Sequence, residues 1–324
     1  MKLSWRGQGE SLPALPSWRP EVVPDDLVWS GDNLAFLASL PPASVRMAYL
    51  DPPYLTGGIF RIGEAVAYRD PDNDPDAWLR GLEVRCRLLK EALLPAGTIF
   101  LQLDHRMAHA ARFVLEEVFP GGFLNEVIWA YGAGALAQAR RQLARKHDVL
   151  LWFANGPDHV FHPPRSEAPS SSMEQRWRRH ADDRGRVTFG RLAVEATTYA
   201  RMVRQWTRRH GRSPASDDVA FTLEGHLLRS VWTDIPEIRN SARYRESTGY
   251  PTQKPLALLE RLVAMATEPG DLVVDPYAGS GTTLLAAHRL GRRSWGCDEG
   301  EAALAVMRER LSGTGHVFLV DPLP

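Results

Sequence analysis

Four short apolar runs in this chain each end in an aspartate, and that recurrence narrows the fold more than any other feature. Val45 to Leu50 runs into Asp51, Thr98 to Leu103 into Asp104, Leu272 to Val274 into Asp275, and Ser294 to Cys297 into Asp298. An almost uninterrupted apolar run of this length is the pattern of a strand buried on both faces, as in a parallel sheet. Stretches with helical spacing lie between the runs: Leu34, Leu37 and Leu40; residues 77–94; 105–118; Pro255 to Ala266; and Thr282 to Leu290. Repeated strand, loop and helix units predict an α/β chain with a mostly parallel, doubly wound sheet. Such sheets bind ligands beyond the carboxyl ends of their strands. Asp32, at the Gly31-Asp32-Asn33 strand-to-helix junction, and Asp51, Asp275 and Asp298 all take that position.

The pattern divides the chain into four parts. Residues 1–26 read as an N-terminal arm without periodicity, 27–155 as one half of the sheet domain, 156–230 as an insertion, and 231–324 as the other half. Residues 55–76, rich in glycine and aspartate, are expected to form a mobile loop. Phe123 to Tyr131 and His147 to Phe153 are two further strands, separated by a Gly/Ala/Arg-rich connection.

At 324 residues and 44% hydrophobic composition, the chain can bury one large core with a smaller lobe. Cys86 and Cys297 are its only cysteines and no run reaches membrane-spanning length, which points to a reducing, cytoplasmic setting with no membrane partner. The formal net charge is zero, yet Pro163 to Arg212 carries 12 arginines against 5 acidic residues. A basic segment is grafted on an acidic body, so nucleic acid stays open as a partner. His159 with His162, and His105 with His109, lack the cysteine pair or intervening glutamate of a zinc site, so no metal is expected.

Asp275-Pro276-Tyr277-Ala278-Gly279-Ser280-Gly281-Thr282-Thr283 is a glycine-rich turn between a strand and a helix. Glycine lets a ligand approach the main chain. The turn lacks both the Gly-Lys-Ser/Thr of a phosphate loop and the Gly-x-Gly-x-x-Gly of a dinucleotide site. Asp298, ending the next strand, can accept both ribose hydroxyls of an adenosine. Together they favour a nucleoside cofactor with little phosphate. Asp275 either organises the turn or meets an amino group, and Thr252-Gln253-Lys254-Pro255 borders the same region.

Asp51-Pro52-Pro53-Tyr54 lies 224 positions before that turn. The exocyclic amine of a nucleobase is a poor nucleophile because its lone pair is delocalised into the ring. Asp51 and the Pro52 carbonyl can each accept one amine hydrogen, drawing the nitrogen toward tetrahedral geometry, and preorganised acceptors stabilise the charge that develops. Pro52 and Pro53 stiffen the loop without adding N–H donors. Tyr54 can stack on a base that has left its helix. Direct displacement from a sulfonium needs neither a covalent intermediate nor a metal.

With these segments in place, the sequence resembles the S-adenosylmethionine-dependent DNA amino-methyltransferases, in the permuted group whose catalytic region precedes the cofactor region. The resemblance covers roughly 27–155 and 230–300 and includes Gly31-Asp32-Asn33, Lys146-His147-Asp148, Gly249 to Pro255 and Gly296-Cys297-Asp298. It implies a Rossmann-like class I methyltransferase fold with a circularly permuted, seven-stranded sheet containing one antiparallel strand. It also implies S-adenosylmethionine as donor, S-adenosylhomocysteine as product, and double-stranded DNA as partner. Asp51 to Tyr54 would bind the flipped base. Asp32 and Asn33 would lie near the cofactor adenine, Asp298 at the ribose, and Lys254, Pro255 and Asp275 to Gly281 around the methionine portion, with Thr282 and Thr283 also at the cofactor. Tyr277 stands where the family usually has Phe.

Aspartate at position 51 resembles the adenine-N6 enzymes of restriction-modification systems more than the cytosine-N4 ones. Cytosine-N4 methylation is the alternative, with RNA methylation or a non-catalytic subunit behind it. The resemblance makes 156–230 the target-recognition lobe, with Arg176, Arg178, Arg179, Arg208 and Arg209 as phosphate contacts. In the 55–76 segment, Arg61 and Arg69 are expected at phosphates and Tyr68 in the space a flipped base vacates. A homodimer and a companion restriction endonuclease complete the expected partners.

Overall fold

A computed structural model describes residues 24–62, 65–70, 74–132, 143, 146–166, 171–238 and 246–320. In chain order the first part contains β1 (Leu27–Ser30), α1 (Asn33–Ser39), β2 (Val45–Leu50), β3 (Ile59–Ile62), β4 (Ala65–Arg69), α2 (Pro75–Ala92), β5 (Leu93–Leu103), α3 (Ala108–Val118), β6 (Phe123–Trp129) and β7 (Asp148–Ala154). The middle holds α4 (Ser171–Trp177), β8 (Arg186–Thr188), α5 (Phe189–Leu192), α6 (Ala196–His210) and β9 (Val219–Thr222). The last part holds β10 (Val231–Trp232), α7 (Leu256–Ala266), β11 (Leu272–Asp275), α8 (Thr282–Arg289), β12 (Arg293–Asp298), α9 (Glu301–Arg310) and β13 (Val317–Val320).

The main sheet runs β10-β6-β7-β5-β2-β11-β12-β1-β13. Every pairing is parallel except those of β7, which is antiparallel to both β5 and β6. The one antiparallel strand is therefore as expected, but among the described residues the sheet has nine strands instead of seven. The two added strands sit at the edges: β10 has only two residues, and β13 lies beyond the last repeated unit. At the centre, β2 pairs with β11 through Met47 and Ala48. Both strands are nearly fully buried, which is why their sequences are apolar runs rather than alternating ones.

Helices close both faces. On α2, Leu79, Leu82, Cys86 and Leu89 form the buried stripe; Pro75 begins the helix and Asp74 caps it by accepting from the Ala77 N–H at 2.8 Å. On α7 the buried stripe is Leu258, Leu259, Leu262 and Val263. Fully burying each such leucine contributes about 1.5–3 kcal/mol. Trp129, Trp152 and Trp295 are core residues.

The segment expected to be a mobile loop contains a hairpin instead, with β3 antiparallel to β4. Pro163–Arg229 forms a compact unit of its own. Residues 156–162, placed with the insertion on sequence, belong to the sheet unit: the His162 N–H bonds to the Met265 carbonyl, and His159 and Phe161 pack on Trp152. The smaller unit has its own core of Trp177, Val187, Phe189 and Leu192, with Trp206 and Phe221 against it. The N-terminal arm to residue 23 lies outside the described residues.

Candidate active site

The carboxyl ends of β2, β11 and β12 open into one cavity of about 700 Å³. β2 ends because Pro52 and Pro53 have no N–H for the ladder, and Asp51 to Tyr54 all line the cavity. The two Asp51 oxygens are taken by different partners: the Tyr54 hydroxyl donates to Oδ1, and the Lys254 ammonium pairs with Oδ2. Each oxygen keeps a second acceptor position. Burial, followed by the nearby Asp51 charge, pushes the Tyr54 hydroxyl well above its ordinary range, so it remains a donor. The Trp78 indole N–H holds the Pro53 carbonyl at 2.9 Å.

On the opposite wall, Asp275 is 2% exposed and its Oδ1 accepts the Tyr277 N–H at 2.9 Å. It therefore organises its own turn. Burial pushes this carboxyl up to about 7, against the opposing effects of hydrogen bonds from Thr283 and the Tyr277 amide. Gly279 has φ +51, and a Cβ there would lie 3.3 Å from the Tyr250 ring. The turn is thus a cradle whose floor is bare main chain backed by an aromatic. Asp298 fastens it: Oδ2 accepts the Gly279 N–H at 2.9 Å and Oδ1 the Gly300 N–H at 2.8 Å. Burial raises Asp298, with those amides opposing the shift.

The other expected cofactor residues divide into wall and support. Asp32 lines the cavity and caps α1 through the Leu34 N–H at 2.7 Å. Asn33 donates to the Pro276 carbonyl at 3.2 Å and accepts from Arg85 at 2.8 Å. Tyr277, Ala278, Ser280, Thr282, Thr283 and Lys254 are in the wall. Pro255 and Gly281 stand behind it: Pro255 precedes α7, and Gly281, at φ +73, faces Met307. Thr282 Oγ1 donates to the Lys254 carbonyl at 3.3 Å, joining the glycine turn to the segment whose side chain holds Asp51.

The structure moves several expectations. Tyr68 is folded into the cavity wall, stacked on Phe60 with centroids 4.5 Å apart and hydrogen-bonded to Thr252, instead of standing free to enter a vacated helix. Arg61 is exposed on β3, while the Arg69 side chain lies outside the described residues. In the smaller unit, Arg176 and Arg179 both meet Glu195, and Arg178 meets Glu174. Arg208 and Arg209 are exposed with no partner among the described residues, as are Arg201 and Arg204 on the same helix, which the sequence reading passed over. Asp70, Trp78, Arg85 and Tyr250 also line the cavity unanticipated. Tyr250 lay within a quoted segment, but the others had no motif to announce them.

A family model described as DNA methylase, for N6 and N4 methyltransferases, matches residues 45–309. The chain belongs to the N6/N4 DNA methylase family. Among curated relatives, the type II methyltransferase M.EcaI of Enterobacter cloacae is 25% identical over 321 residues, covering 90% of this chain and 70% of its own length. M2.DpnII of Streptococcus pneumoniae is 27% identical over 292 residues, covering 86% and 87%. The fold is shared with a putative DNA modification methylase of Thermus thermophilus solved with S-adenosyl-L-methionine, at 23% identity and TM-score 0.53 over 91% of this chain and 99% of that one. It is also shared with the M1.HpyAVI–SAM complex, at 19% identity and TM-score 0.53 over 88% and 98%.

This DNA methylase uses S-adenosylmethionine as methyl donor, and the residues present fit that molecule. Asp32, Asp51, Asp275, Asp298 and Glu299 face the cavity against Lys254 and Arg85. A surplus of carboxylates suits a ligand carrying a sulfonium and an ammonium, and the bare main chain at Gly279 admits close approach. Among the described residues no group of His, Cys, Asp and Glu is arranged to hold a metal ion, and no helix is long and apolar enough to cross a membrane.

Proposed function

We propose that this DNA methylase transfers a methyl group to the N6 amine of an adenine flipped out of double-stranded DNA, as the modification partner of a restriction endonuclease. The observation that carries the reading is that Asp51-Pro52-Pro53-Tyr54 and the Asp275–Thr283 turn, far apart in the chain, line one cavity. The aspartate at the head of the first motif favours adenine, and the relatives named as type II methyltransferases support the restriction-modification setting. The donor supplies an electrophilic methyl on sulfur. Asp51 accepts one N–H of the acceptor amine on a free carboxylate position, and the Pro52 carbonyl accepts the other. The lone pair is thereby freed from the ring and aimed at the methyl. Tyr54, its hydroxyl tethered to Asp51, offers its ring to the base. Lys254 orients Asp51, and the proton lost from the amine leaves through Asp51 to water.

For the donor, Asp298 receives the ribose hydroxyls, Asp32 and Asn33 border the adenine, and Asp275 to Thr283 with Lys254 and Pro255 surround the methionine portion. In the smaller unit the unpaired arginines of α6 meet phosphates; Arg176, Arg178 and Arg179 would first have to leave their glutamates. The experiment is incubation with labelled S-adenosylmethionine and varied genomic DNA, followed by digestion and identification of the labelled nucleoside and its context. N6-methyladenine in one sequence is the expected product. N4-methylcytosine would establish the second reading, which the shared fold of the cytosine-N4-specific PvuII methyltransferase keeps in view, at 16% identity and TM-score 0.52.

A further inference from the structure

The loop that follows β2 is held from two sides by groups to which the mechanism above gives no role. Leu55, directly after Tyr54, has φ +55, a left-handed conformation that a leucine adopts only when its surroundings impose it. Asp70 supplies that imposition from the far foot of the β3–β4 hairpin. Its Oδ1 accepts the Leu55 N–H at 2.9 Å, and its Oδ2 accepts both the Thr56 N–H, at 2.8 Å, and the Thr56 hydroxyl. The Asp70 N–H returns to the Gly58 carbonyl at 2.9 Å, closing the hairpin on the same point.

Asp70 is 6% exposed, and among the described residues no cation pairs with it. A buried carboxylate satisfied by neutral donors alone is a costly choice. It is explained by the donor count: three N–H or O–H groups converge here, and an asparagine would turn an NH2 toward one of them. On the other side of the loop, the Trp78 indole N–H takes the Pro53 carbonyl at 2.9 Å. That leaves the Pro52 carbonyl as the proline acceptor with a role at the amine.

We propose that Asp70 and Trp78 are positioning residues for methyl transfer, a two-point clasp that sets the Asp51–Thr56 loop in its base-receiving shape before the base arrives. The inference rests on the reading of Asp51 to Tyr54 as the base-holding segment. Its physical basis is that a reacting group misplaced by about 1 Å loses roughly 100-fold in rate. The clasp acts on the acceptor side only. The glycine turn and Asp298, which would carry the donor, are fastened by separate hydrogen bonds.

The test is single-turnover methyl transfer to DNA by the full-length chain carrying Asp70→Asn, Trp78→Phe or Thr56→Val, with Asp51→Ala beside them. S-adenosylmethionine affinity and thermal unfolding are measured on each variant. Asp70→Asn is expected to slow transfer about 10- to 100-fold while donor affinity stays within about twofold of wild type, as befits a loop distinct from the donor cradle. Wild-type transfer by folded Asp70→Asn overturns the clasp, and so does a loss of donor affinity matching the loss of rate. Should Asp70→Asn not fold, Trp78→Phe and Thr56→Val each remove a single donor, and unchanged transfer in both overturns it equally. Asp51→Ala separates the two readings. If it transfers normally the base-holding motif itself is wrong, whereas an inactive Asp51→Ala beside a fully active Asp70→Asn sinks only the clasp.

Discussion

Asp275 ties the site to pH. Its carboxyl is pushed up to about 7 by burial, whereas the unfolded chain would hold it near the ordinary value of roughly 3.9. The folded state thus binds this proton more tightly. The stability it contributes is complete below about pH 4 and is lost as pH rises through about 7. Asp275→Asn keeps the acceptor for the Tyr277 N–H and removes the penalty. At pH 8 the donor-free variant is expected to be more stable than wild type by roughly 3–4 kcal/mol, read from denaturant midpoints. Donor affinity should move the other way. If Asp275 meets the methionyl ammonium, wild-type affinity climbs between pH 6 and 8 and the climb vanishes in Asp275→Asn, as titration calorimetry would record. Asp51→Ala is expected to abolish transfer, a loss of at least about 100-fold, and to leave most donor affinity intact. Asp51, Asp275 and Asp298 were legible in the sequence because each sits at the end of an apolar run, and Gly279 because it lies in the glycine-rich turn after one. Asp70, Trp78 and Arg85 were not, because their importance comes from hydrogen bonds and packing that exist only once the chain has closed.

At the level of elements, the Gly279–Gly281 turn depends on a helix that no sequence pattern announced. A Cβ at Gly281 would lie 2.9 Å from Met307 Cγ on α9, at φ +73. From the end of that helix the Arg310 Nη1 reaches the Ser280 hydroxyl at 3.1 Å and the Thr282 hydroxyl at 2.8 Å. Gly281→Ala is therefore expected to cost about 1–3 kcal/mol of stability and to weaken donor binding. Thermal unfolding with and without donor checks both. The hairpin was misread as a loop for a related reason: its strands have four and five residues, and one segment supplies both cavity wall and exposed surface. Phe60 and Tyr68 face the cavity while Ile59 and Arg61 are exposed. The long central elements were readable because their burial is continuous.

For the whole molecule, the sum of charges conceals an uneven distribution. The net charge is zero, but α6 presents Arg201, Arg204 and Arg208 at helical spacing on its exposed side, with Tyr199, Met202, Val203 and Trp206 turned to the core of its unit. Replacing those three arginines with glutamine is expected to lower the slope of log affinity against log salt by about 2–3, since each phosphate contact contributes about 0.9. Binding measured from roughly 50 to 200 mM salt reads this, and an unchanged slope would remove α6 from the DNA face. The doubly wound sheet was legible from repeated units and its antiparallel strand only through the family resemblance; the edge strands and the start of the smaller unit at Pro163 depended on pairing and packing that no local pattern records.

Strand order has a mechanical corollary. The segments before and after the Pro163–Arg229 unit alternate across the sheet, meeting at β10/β6, β2/β11, β12/β1 and β1/β13. A protease that nicks the chain inside the smaller unit therefore releases nothing. The two fragments stay zipped along four seams, and the cavity at the β2/β11 seam keeps both its walls.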